Sequence, residues 1–181
     1  MKRILSLALL AAAFLQLGAA DKPKVGRPML AQMEESLDQR LRKAWPDDPI
    51  ELIGVTQGLY INGFGAIFNS ELNLAPTAGI TPFHQSVSKE ELVRVHQKKL
   101  ERLPKLKEAM QQMLLASADS LAAIPDDEQI VVGVTLFYWH GENTTGLPGQ
   151  IVMHAPKKAL ALINSGGAKS ALASKVTTEE Y

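Results

Sequence analysis

Not one of the 181 residues is cysteine. That absence rules out disulfides, a thiolate nucleophile, cysteine-ligated metal sites and a lipid anchor attached through a cysteine. Charge of one sign is lacking too, with 19 basic against 19 acidic residues. A chain so balanced has no electrostatic footprint for nucleic acid and none for a strongly charged membrane surface. Long apolar runs are also missing. The longest, Ile4 to Leu15, covers about 12 residues, well short of the roughly 20 that a bilayer-spanning helix needs.

That short run has the setting of an export signal. Lys2 and Arg3 precede it as a positive n-region, and Leu17-Gly18-Ala19-Ala20 follows it with small residues where a signal peptidase reads. Cleavage is expected between Ala20 and Asp21, which places the protein in the periplasm or outside the cell with no stable membrane anchor. Removing 20 of the 181 residues leaves 161, enough for one domain with its own core. The mature chain loses two basic residues and no acidic ones, so it carries 17 against 19, a net charge of −2.

The expected organisation is a signal peptide over residues 1–20, a flexible leader over 21–28 and a single α+β domain over 29–181. Leu30, Met33, Leu37, Leu41 and Trp45 recur every three or four positions, the period of an amphipathic helix from Met29 to Trp45. Glu51 to Tyr60 and Gly65 to Leu74 are rich in β-formers and flank Asn62-Gly63, the signature of a type I′ hairpin. In the second of these strands Ala66, Phe68, Ser70, Leu72 and Leu74 share one face, and the other is mostly polar.

Ser88 and Glu91 form a capping box at the start of a long helix whose apolar stripe runs to about Ile124. Pro104 lies inside it, and a kink or a break into two helices is expected there. Gln129 to His140 reads as a central strand, Gln150 to Ala155 as its hairpin partner, and Pro156 opens a last helix through Leu160 and Ile163. Lys175 to Tyr181 is either a frayed tail or a short edge strand. The expected fold is thus an antiparallel sheet of about four strands in two hairpins, order α-ββ-α-ββ-α, with helices on one face.

The chemistry-bearing residues form no familiar constellation. The histidines at 84, 96, 140 and 154 include no i, i+4 pair, so the helical zinc-protease pattern is absent. His140-Gly141-Glu142 matches the H-x-E half of the zinc deaminases, but its cysteine half cannot exist here. His140 and His154 fall on the two strands of one expected hairpin, with Glu142 close, and are the candidates for acid/base work. No G-x-S-x-G nucleophile turn and no phosphate-cradling loop is present.

For binding, Asn69, Glu71 and Asn73 form a polar row on one strand. Ile80, Phe83 and His84 sit in the proline- and glycine-rich loop Ala75 to Ser86, whose length is typical of functional loops. Arg94, Lys98, Lys99, Arg102, Lys105 and Lys107, diluted by glutamates, read as a solvated helix face. Together these features suggest a non-enzymatic binding or interaction module. It would have no cofactor or nucleic acid and would take a protein or small-molecule partner outside the cytoplasmic membrane. The alternative is an exported hydrolase or metal-dependent enzyme using His84, His140 and His154 with Glu71 or Glu142.

Overall fold

A computed structural model describes residues 25–76, 87–166 and 172–181. The chain begins with helix α1 (Arg27–Ala44), followed by strands β1 (Glu51–Leu52), β2 (Gln57–Ile61) and β3 (Gly65–Asn73). The long helix α2 (Lys89–Ser120) leads to β4 (Gln129–Leu136) and β5 (Gln150–Pro156). Helix α3 (Lys157–Asn164), the single turn α4 (Leu172–Lys175) and β6 (Thr177–Glu180) complete it. The six strands form one sheet in the order β1-β3-β4-β5-β6, with β2 pairing β3 beyond β1 along the same edge.

The α+β class is as expected, but the sheet is mixed rather than antiparallel and has six strands rather than four. Both expected hairpins form, β2 with β3 and β4 with β5, but they do not join in an antiparallel way. β3 and β4 pair in parallel, from Gly65 opposite Gln129 to Leu72 opposite Leu136. The cause is the connection between them. A helix of 32 residues rises about 1.5 Å per residue, far more than β3 is long, and carries the chain back to the end where β3 began. The tail resolves as β6, an edge strand paired antiparallel with β5.

Local expectations also shift. α1 starts two residues early, inside the expected leader, with Pro28 in its first turn where the missing N–H costs nothing. Glu51 to Tyr60 is two strands, because Gly54 adopts φ 86° and turns the chain. Thr56, just past that turn, donates its hydroxyl to Asp38 of α1 at 2.5 Å and pairs with the Ser70 hydroxyl at 2.7 Å. The β2–β3 turn has a single positive φ before its close, at Gly63 (81°), with Phe64 N–H donating to the Ile61 carbonyl at 3.0 Å. That is a type II arrangement rather than type I′, since Asn62 stays at negative φ. Gly65 is obligatory: at φ 136°, a β-carbon there would stand 1.9 Å from the Gln129 carbonyl oxygen.

Helix α2 passes Pro104 without a break and ends at Ser120, short of Ile124. Pro104 itself is exposed, and its missing N–H removes the bond to the Leu100 carbonyl one turn back. Leu103, Leu106, Met110, Met113 and Leu114 around it are all buried in the core, and their packing outweighs the proline's local cost. Past the helix end, Lys157 donates to the Ala122 carbonyl at 3.1 Å and the Ile124 carbonyl at 2.6 Å. It serves carbonyls that would otherwise lack donors there.

The core lies between the helices and one face of the sheet. Ala66, Phe68 and Leu72 of β3, Ile130, Val132 and Val134 of β4, and Ile151 and Met153 of β5 all point into it. The α1 stripe from Leu30 to Trp45 meets them as its period requires. Within α1, Arg27 donates through both terminal guanidinium nitrogens to Glu34 (2.5 and 2.7 Å), and Glu34 ties the helix to β2 by accepting the Gly58 N–H at 2.6 Å. The Arg27 hydrogen bond holds the Glu34 carboxyl below its usual range against the opposing effect of burial. The other face of the sheet has no helix on it among the described residues.

Candidate functional site

Every strand contributes alternate side chains to that second face, and the pairing register aligns them in rows across the sheet. One row runs Leu59, Ile67, Val131, His154 and Thr177. The next runs Gln57, Asn69, Gly133, Val152 and Glu179. A third joins Glu71, Thr135 and Gln150, with Tyr181 bonded to Gln150 by its N–H at 3.0 Å. Leu59 and Ile61 of β2 are 48% and 47% exposed, while Ile67, Val131 and Val152 are half-buried. An apolar strip therefore crosses from β2 to β5 with no helix of the described residues over it. Leu59 and Ile61 thus leave apolar surface open on the side of the sheet away from the core.

Charge on this face has one sign. The charged residues at its strand positions are Glu51, Glu71 and Glu179, all exposed, and no lysine or arginine joins them among the described residues. A hydrogen bond with Glu179 raises the Tyr181 hydroxyl above its ordinary range. Glu180, one residue on, turns to the helix side and meets Lys107 at 2.6 Å, so the alternation that sorts these groups is intact.

The residues singled out from sequence distribute unevenly. Asn69 and Glu71 lie exposed on the open face, as their alternation requires. Asn73 does not continue the row to solvent. It is fully buried, its side-chain oxygen accepts the Ala75 N–H at 3.3 Å, and its Nδ2 has no hydrogen-bond partner among the described residues. Ile80, Phe83 and His84 lie outside the described residues.

His140 and His154 do not converge. β4 ends at Leu136 rather than His140, so His140 stands exposed in the loop past its end, whereas His154 pairs with Val131 near its start. Val131, the neighbour of His154, and Leu136, from which the loop to His140 leaves, are five strand steps apart, roughly 17 Å at about 3.3 Å each. Among the described residues no three histidine, aspartate or glutamate side chains gather as a metal site would need.

Glu142 has a different partner, one that sequence reasoning missed. It forms an ion pair with Lys99 of α2, their side chains only 4% and 1% exposed. Lys99 also reaches the Phe137 carbonyl at 3.4 Å and lies 4.8 Å from the centre of the Tyr138 ring. The second Glu142 oxygen, Oε1, is buried without a hydrogen-bond partner among the described residues. Burial, and then the Glu142 charge, push the Tyr138 hydroxyl up to about 12, and it donates to the Pro148 carbonyl at 2.7 Å. Lys99 and Glu142 neutralise each other out of reach of solvent, an arrangement suited to pinning the 137–149 loop onto α2. The one available signal was the position of Lys99 within the buried stripe, four residues after Val95 and four before Leu103.

Arg102 was likewise misplaced on a solvated face. It is buried and donates to the Leu74 carbonyl and, at 2.7 Å, to the Asp48 carbonyl. An open groove of about 660 Å³ runs beside it along α2, lined by Asp48, Val93, Arg94, Lys98 and Glu101 among others. Its cations are already engaged: Lys98 and Arg102 each meet Asp48 at 2.5 Å, and Arg94 pairs with Glu91.

Comparison with family models, with curated proteins and with solved structures finds no match to this chain. Among the described residues no helix is long and apolar enough to cross a membrane.

Proposed function

We propose that this protein is an exported, non-enzymatic interaction module that takes a protein partner onto the open face of its sheet. The carrying observation is the apolar strip of Leu59, Ile61, Ile67, Val131 and Val152, which among the described residues has no helix over it, while the opposite face holds their hydrophobic core. The positive, apolar and small-residue sequence of residues 1–20 supports export. Against the enzymatic alternative, His140 and His154 stand at opposite ends of β4, and Glu142 is committed to Lys99. A domain of this kind works by presenting a rigid surface, and a sheet pinned by helices from behind is rigid.

Photo-crosslinking in the native cell tests the reading. A benzophenone side chain replacing Gln57 or Thr135 on the open face is expected to capture one discrete partner from the envelope fraction. The same group replacing Gln112 on α2 is expected to capture none. Equal capture from both faces, or capture from neither, overturns the interaction surface. N-terminal sequencing of the protein recovered outside the cytoplasmic membrane is expected to begin at Asp21, and a start at Met1 overturns the cleavage.

A further inference from the structure

We infer that the occupant of the open face is a single cationic amphipathic helix of a partner polypeptide, an inference that rests on that face being a docking surface. Three observations lead to it. First, the occupant lies on a face, where the sheet's own N–H and C=O groups already bond one another. It must satisfy its backbone internally, which a helix does and an extended peptide, bound through main-chain bonds at a sheet edge, does not. Second, the row from Leu59 through Ile67 and Val131 to His154 spans four strands. At about 4.8 Å between strands this is roughly 14 Å, room for one helix of about 10 Å diameter and not for two.

Third, Glu179 stands beside Val152 in its row, Glu71 lies further out along β3 past Asn69 and Glu51 beyond it, with no basic residue at any strand position of this face among the described residues. A helix carrying lysine or arginine beside its apolar stripe meets both features at once. An acidic helix meets like charge instead. The same acidic residues repel anionic lipid and nucleic acid, which leaves a polypeptide as the partner. Lysine and arginine stems add apolar cover of their own along the strip's margins while their charged ends reach the glutamates.

The test uses the mature chain, residues 21–181, and three synthetic helical peptides with one shared leucine face. Their polar faces are lysine/arginine, glutamine/serine or glutamate. The basic peptide is expected to bind at least about tenfold more tightly than the neutral one, with the advantage lost at high salt, and the acidic one not at all. Leu59→Asn with Ile61→Asn removes exposed apolar contacts without touching the core and is expected to abolish binding. Glu71→Lys with Glu179→Lys is expected to reverse the preference between the basic and acidic peptides.

Equal binding of all three peptides, or no effect of the charge reversal, overturns the cationic assignment. Sedimentation analysis covers the other occupant: a dimer of the mature chain that the Leu59/Ile61 double variant dissociates makes it a second copy and overturns the inference. If no peptide binds but open-face crosslinking still captures a partner, the helix class falls and the docking surface stands. If both fail, both fall.

Discussion

The Asn69 side chain leans over Gly133, its neighbour across the parallel β3–β4 pair, so that its oxygen lies 2.8 Å from where a β-carbon at Gly133 would stand. Glycine in the middle of a central strand thus has a spatial cause, and it leaves a shallow place in the open face between Val131 and Thr135. The obstructing atom is the far end of a side chain, while backbone at 3.8 Å sets no barrier. Gly133→Ala is therefore expected to fold with stability within about 1 kcal/mol of the parent, since Asn69 can swing aside. Urea unfolding of Gly133→Ala, alone and with Asn69→Ala, checks this, and a loss much above that value would mean Asn69 is fixed.

Lys99 and Glu142 form a buried ion pair, and removing either partner leaves a charge without compensation in the interior. Lys99→Met is expected to cost roughly 3–5 kcal/mol. Lys99→Met combined with Glu142→Leu is expected to cost far less than the single change, because no charge then remains buried. A double-mutant cycle by chemical denaturation reads the difference. Additive losses would show that the pair acts through packing alone.

Pro104 interrupts the hydrogen-bond ladder of α2 at an exposed position. Pro104→Ala restores a donor and is expected to raise stability by about 1–3 kcal/mol. An unchanged or lower denaturation midpoint would show that the core depends on the local geometry that proline imposes.

Tyr138 ionises at about 12 in the folded protein, above its ordinary value near 10. A raised value means the folded state holds the proton more tightly than the unfolded one, so this stabilisation is complete below pH 10 and is lost as pH rises towards 12. Ionisation also removes the donor that Tyr138 supplies to the Pro148 carbonyl. Stability of the parent is expected to fall between pH 10 and 12 more steeply than that of Tyr138→Phe. Parallel curves for the two proteins would refute it.

Patterns carried by near neighbours in the chain proved readable. The helical period of Leu30 to Trp45 and the alternation from Ala66 to Leu72 each determine which face of one element is buried, and the structure buries those faces. The Ser88 hydroxyl accepts the Glu91 N–H at 3.1 Å as its cap position requires. These depend on a few adjacent residues, whose geometry is set by backbone period alone. The balance of charge and the lack of cysteine likewise follow from composition without any fold.

What composition and period left undetermined were relationships between distant segments. Whether β4 runs with or against β3 depends on where a 32-residue helix returns the chain. The burial of Lys99 and Arg102 depends on finding Glu142, Phe137, Leu74 and Asp48 within reach. His154 and His140 are held apart because β4 ends at Leu136, before His140, while His154 pairs with Val131 near the start of that strand. The open face is the clearest case. Leu59, Ile67, Val131 and Val152 come from four separate strands, and only the tertiary pairing aligns them beside Glu71 and Glu179. A surface is defined by neighbours in space, and no local pattern records which strands will stand side by side.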